Sequence, residues 1–443
     1  MSLSMIPGAS SADRRSVARD RDPRSGRGRR TLARFVCAGA LAFAGGSLGA
    51  AESAVLANPG VANGDEFAYA LAMDATHVVT GTPGEAGAAG AVYFFDCSTQ
   101  PCAAAQRIAA SDLAAGDHFG AALGLAGDTL IVGAPGQSPG AVYVFVRSGP
   151  VWTQQAKLVA TTGGAAGDRF GNAAALGTDR LLVGADYADT RAGAVYVFAR
   201  SGSVWTQQAR LSAADAVAGD LFGRSVALDG DTAVVGAPMK AGAAAGSFAR
   251  GAAYVFTAIG SSWSQQAKLL AAAAADGDLF GQSVAVEGDR ALVGAPAAAS
   301  RIGAAYVFSR SASTWTQDAE LTAAGSTSGD MLGWSVALNG THAIVGAPYA
   351  LTTCGIGHVF QDFAGVWAET GGAAIAAPVV GDLAGWAVAA ADGRWTIAAP
   401  GHAGPLLHAG VAYYFDAAET IFADGFDVSS AASVCNAAKT IQR

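Results

Sequence analysis

Apolar residues along this chain come in short alternating runs, and glycine, aspartate or proline interrupts them at close intervals. Alternation at period two marks a strand with one face covered, and the interruptions are turn chemistry. Residues 219–271 show the pattern in full. Phe222-Gly223 opens the run Arg224-Ser225-Val226-Ala227-Leu228, and Asp229-Gly230-Asp231 predicts a tight hairpin. Thr232-Ala233-Val234-Val235 returns and stops at Gly236-Ala237-Pro238, where proline cannot donate to a strand ladder. After a loop, residues 251–256 predict a third strand, Ile259-Gly260-Ser261-Ser262 a turn, and 263–269 a fourth strand beginning at Trp263.

The same landmarks recur seven times. A Gly-Asp dipeptide stands at 64–65, 116–117, 167–168, 219–220, 277–278, 329–330 and 381–382, in steps of 52, 51, 52, 58, 52 and 52 residues. Phe-Gly follows at 119–120, 170–171, 222–223 and 280–281, and decays to Phe67-Ala68, Leu332-Gly333 and Ala384-Gly385. Gly-Ala-Pro stands at 133–135, 236–238, 294–296 and 346–348, with Gly81-Thr82-Pro83, Gly184-Ala185-Asp186 and Ala398-Ala399-Pro400 in the remaining units. Fourth strands begin at Trp152, Trp205, Trp263, Trp315 and Trp367, and Cys102 takes that place in the first unit. A period near 50 with four strands per unit predicts a β-propeller, in which each unit buries its faces against its neighbours. The seventh unit ends after its third strand at Phe415, whereas Ala54-Val55-Leu56 aligns with Ala267-Lys268-Leu269. The expected architecture is all-β, a seven-bladed propeller of four antiparallel strands per blade. The early segment supplies the last outer strand and closes the ring.

The two ends stand apart from the repeat. Residues 1–34 hold nine arginines and three aspartates, followed by an apolar run at 35–48 and by Gly49-Ala50-Ala51. That order predicts an export signal over 1–51, and Arg29-Arg30-Thr31-Leu32 resembles a twin-arginine signal. The propeller is expected over 52–416 and a tail over 417–443. No other apolar run of 18 residues lacks turn formers, so no membrane span is expected. Without the leader, 18 basic residues face 32 acidic ones, a net charge of −14 that repels phosphate backbones and argues against nucleic acid as a partner. Cys37 falls in the leader. Cys97 and Cys102 flank a turn, where a disulfide is expected in an oxidising compartment. Cys354 and Cys435 then either pair by elimination or remain as two buried thiols.

Phe-Gly near the start and Gly-Ala-Pro near the middle of each unit resemble FG-GAP repeats, which build the propeller of integrin alpha chains and of many exported bacterial proteins. Calcium-binding members carry an Asp-x-Asp-x-Asp-Gly loop between the first two strands. Here that place holds Ala126-Gly127-Asp128, Asp229-Gly230-Asp231, Glu287-Gly288-Asp289 or Asn339-Gly340-Thr341, too short and too poor in oxygens for six to eight ligands. The resemblance therefore implies the calcium-free variant.

The remaining chemistry is sparse. No Gly-x-Ser-x-Gly or phosphate-cradling loop occurs. His77, His118, His342, His358, His402 and His408 fall at different places in different units, without zinc spacing. The recurrent aspartates read as turn formers, and the fourth-strand tryptophans as packing between blades. Trp334 and Trp386 differ, because they follow the glycine of the decayed Phe-Gly sites and point to the central channel. Loops joining second to third strands vary most, and the longest, 239–250, carries Lys240, Phe248 and Arg250. Variable loops on a rigid ring are where recognition concentrates, and the family resemblance implies ligand binding on the same face. The expectation is a monomeric, non-catalytic binding or scaffold module for a protein or glycan, with no cofactor and no metal. A carbohydrate-binding propeller using Trp334 and Trp386 is the alternative, and a propeller lyase or glycosidase a more remote one.

Overall fold

The computed structural model describes residues 54–416 apart from 58, 59, 61, 63, 104, 243–245, 374–378 and 403–408. Seven four-stranded antiparallel sheets follow one another as the blades of a propeller. In the fourth blade the strands are Ser225–Asp229, Thr232–Ala237, Ala252–Ile259 and Ser262–Leu269, paired in chain order. Asp229 pairs with Thr232, so the first hairpin has a two-residue turn, and Gly230 supplies its φ of 54°.

The third and fourth strands run further than their alternation predicts. Their register also slips by one between Val255 and Phe256, leaving Gln266 unpaired. The same slip recurs at Val144/Phe145, Val197/Phe198, Val307/Phe308 and Val359/Phe360. Such a bulge adds twist and re-aims one side chain. Here it aims glutamine at the next blade: Trp315 Nε1 donates to Gln266 at 2.8 Å, and Trp263 Nε1 to Gln208 at 3.3 Å.

Ala54–Leu56 pairs with Val411–Phe415 as the outer strand of the last sheet, and Leu56 is buried. The ring is closed as the sequence predicts. Among the described residues, seven buried apolar clusters lie between adjacent blades. One joins Leu182, Val195 and Val197 to Val235 and Tyr254, and another joins Leu56 and Tyr414 to Phe67 and Val78 across the closure.

Both repeat motifs serve these interfaces. The Phe222 ring lies 5.6 Å from Tyr254 and 5.9 Å from Phe256, in the edge-on geometry that aromatic pairs favour. The glycines work as pairs. A methyl group on Gly236 would sit 2.0 Å from the Gly281 carbonyl oxygen of the next blade, and the equivalent approach is 2.0–2.2 Å at Gly81, Gly133, Gly184, Gly294 and Gly346. The glycine of Gly-Ala-Pro and that of the following Phe-Gly thus belong to one close backbone contact. At the closure Ala398 and Ala68 occupy both places.

Candidate functional site: the channel mouth and loop face

The turn before each inner strand is built by Gly-Asp. All seven aspartates accept the backbone N–H three residues earlier, from Ala62, Ala114, Ala165, Val217, Ala275, Thr327 and Val379, at 2.6–2.8 Å. Their glycines have φ of 87–103°, which side chains resist. These carboxylates shape turns. Among the described residues no group of three or more His, Cys, Asp or Glu is placed to hold a metal.

The turn sets the residue after each Phe-Gly position at the channel mouth. Tyr69, Ala121, Asn172, Arg224 and Gln282, from five consecutive blades, line one cavity of about 160 Å³ together with Arg169. Tyr69 also borders a hollow of about 300 Å³ with Glu66, Leu383 and Trp386. Ring centroids lie 5.7 Å apart for Tyr69–Trp386, 5.1 Å for Trp386–Trp334 and 5.8 Å for Trp334–Tyr349. The mouth is therefore aromatic over blades six, seven and one, and polar over blades three to five.

Asp186 occupies the place that proline holds in the other six blades. Its carboxylate is fully buried, with Arg169 Nη1 at 3.5 Å and Arg224 Nη1 at 3.6 Å, and neither oxygen accepts a hydrogen bond. Burial pushes its pKa above the usual carboxylate range, against the pull of Arg169, Arg224 and Arg191. Arg169 and Arg191 each stand 4.6 Å from the Tyr187 ring.

A third cavity, of about 430 Å³, lies under the long loop and is lined by Val217, Asp220, Met239, Lys240 and Phe248 among others. Val217, Met239 and Phe248 are 59%, 42% and 63% exposed, so the pocket has an apolar rim.

Five stretches, 103–145, 152–198, 205–256, 263–308 and 315–359, match the FG-GAP repeat, together more than half of the chain. The chain belongs to the FG-GAP repeat family. Each matched FG-GAP stretch takes the fourth strand of one blade and three of the next, so the sequence unit is offset from the blade by one strand. No curated protein matches the chain. Among solved structures, the Chaetomium thermophilum Sqt1, bound to the N-terminus of the ribosomal protein L10, has a similar fold. It aligns at 18% identity with a TM-score of 0.50, covering 80% of this chain and 86% of that one.

Within this FG-GAP propeller the sequence-predicted residues separate into two places. Trp334 and Trp386 meet at the mouth. Lys240, Phe248 and Arg250 lie on the long loop, but only Phe248 presents itself to solvent. Lys240 is buried, with Nζ 2.8 Å from Asp220 and 3.6 Å from Asp215, and Arg250 donates to the Ala274 carbonyl. The mouth's Arg169, Arg224 and Asp186 escaped sequence reasoning. The one signal was aspartate in a proline position, and its partners come from elsewhere in the chain.

Cys97 and Cys102 form a disulfide. Cys354 is buried and also disulfide-bonded, while Cys435 lies outside the described residues, as do the leader, the tail and His408. The other histidines are dispersed: His77 beside Asp74, His358 beside Glu369 at 2.8 Å, His402 beside Asp382 at 3.1 Å. Among the described residues no helix is long and apolar enough to cross a membrane.

Proposed function

We propose that this FG-GAP propeller is an exported, non-catalytic recognition module that engages a protein partner with the loops of one face. The observation that carries this is the pocket beneath the 239–250 loop. The long 239–250 loop borders a concave surface, which its Met239 and Phe248 rim together with Val217 of the Gly219-Asp220 turn. Exposed apolar side chains around a pocket are the usual anchor points of a protein interface. The Sqt1 complex offers a precedent for a propeller holding a segment of another protein. The basic leader with its apolar run and the Cys97–Cys102 disulfide support export. The engagement of all seven Gly-Asp carboxylates in turns supports a role without catalysis.

Exchanging residues 239–250 for the shorter equivalent at 297–302 tests the assignment. In affinity capture from cell-envelope and surface extracts, the parent is expected to retain a partner that the exchanged protein loses. A partner retained equally by both would remove the loop from the binding surface.

The aromatic sector of the mouth favours a second activity. Tyr69, Trp386 and Trp334 form a continuous, half-buried platform beside a hollow, which suits a saccharide ring.

A further inference from the structure

We propose that the channel mouth takes an acidic saccharide, with its carboxylate or sulfate between Arg169 and Arg224 and a sugar face on Tyr69, Trp386 or Trp334. This rests on the saccharide activity just described and adds the charge of the ligand. The protein is acidic overall, yet three arginines gather here around a single carboxylate, Asp186. Even with Asp186 ionised, Arg169 and Arg224 leave one net positive charge at their end of the mouth, while Glu66 borders the hollow at the aromatic end. Asp186 holds the two guanidiniums at 3.5 and 3.6 Å without accepting their hydrogen bonds. Their N–H donors thus remain available to a planar or tetrahedral anion, which the guanidinium fork matches well.

The space agrees. The cavity beside Arg169 and Arg224 measures about 160 Å³, enough for an anionic group with part of a ring, and Gln282 adds an amide suited to hydroxyls, while the Asn172 amide is held by the Asp186 N–H and the Gly223 carbonyl. Tyr69 belongs to this cavity and to the 300 Å³ hollow of Trp386, so one ligand spans both. An acidic peptide side chain would fill the arginine end and leave the aromatic platform empty.

Calorimetric titration of the full chain at low salt tests this with five probes: trigalacturonate, a sulfated chondroitin hexasaccharide, neutral galactotriose, sodium sulfate and a glutamate-rich peptide. The acidic saccharides are expected to bind at least tenfold more tightly than the other three. Arg224→Gln, Arg169→Gln and Trp386→Ala, each checked for an unchanged circular dichroism spectrum, are each expected to weaken them tenfold or more. Exchange of the 239–250 loop should leave this binding unaltered. Galactotriose bound as tightly as trigalacturonate would overturn the charge assignment while leaving the saccharide activity standing. Absence of binding by every saccharide would overturn both. Sulfate or peptide bound as tightly as the acidic saccharides, with Trp386→Ala without effect, would reduce the mouth to a simple anion site and overturn the proposal.

Discussion

Single side chains show how the repeat sequence is spent on polar bookkeeping. Third-strand tyrosines donate to carboxylates: Tyr93 to Glu85 at 2.6 Å, Tyr143 to Asp112 at 2.9 Å, Tyr254 to Asp215 at 2.7 Å and Tyr306 to Glu320 at 3.3 Å. Burial first, and then for Tyr93, Tyr254 and Tyr306 the adjacent carboxylate, raises the phenol pKa above its ordinary value; the same holds for Tyr143, where Lys157 and Gln137 oppose it. A folded pKa above the unfolded value means that the associated stability is complete below about pH 10 and is lost as pH rises from there through the folded pKa. The phenolate absorbance of these four tyrosines is thus expected to rise together with loss of the β-sheet dichroism. Smooth titration of Tyr93, Tyr143, Tyr254 and Tyr306 near pH 10 in an intact fold would refute this. The recurrent Tyr-x-Phe was visible in the sequence, but its carboxylate partners were not, because they sit at no fixed offset from it. Lys240 carries the same lesson. Its place on the longest variable loop suggested a residue of the binding face, and only the fold brings Asp220 against it.

Between neighbouring strands and blades, the informative residues are glycines. Gly236 has no room for a methyl group because the Gly281 carbonyl of the next blade closes to 2.0 Å from where it would be. The obstructing atom is backbone within a strand-flanking turn, so it cannot swing aside. Gly236→Ala is expected to destabilise by about 1–3 kcal/mol, the usual range for overpacking. Ser225→Ala, which removes a hydroxyl bonded to the same carbonyl at 3.0 Å, should cost about 1 kcal/mol. Thermal or denaturant unfolding orders the two, and an equal or smaller effect of Gly236→Ala would contradict the contact. The sequence showed both glycines at constant places in the repeat. That they touch one another across blades follows only from the packing. The bulge at Gln266 was likewise hidden, since one unpaired residue hardly disturbs the alternation of either strand.

The whole molecule is a ring whose last sheet borrows its outer strand from the beginning of the fold. Removing residues up to Leu56 would expose the ladder of Val411–Phe415 and take the buried Leu56 side chain out of the core, a loss of at least about 2 kcal/mol from apolar transfer alone. The truncated protein is expected to melt earlier and to self-associate through the bared edge, read by thermal unfolding and gel filtration. An unchanged melt and a monomeric elution would show that the closure contributes little. The seven-fold arrangement was legible because every blade repeats the same turn chemistry, and turn residues, alternation and period are local properties written in order along the chain. By itself the sequence determined the number of blades, the order of strands, the closing segment and the role of the Gly-Asp turns. Tertiary structure decided which residues meet at the axis. Arg169, Asp186 and Arg224 are strangers in sequence to Tyr69 and Trp386, and they share a mouth because a closed ring brings one position of every blade to a common centre.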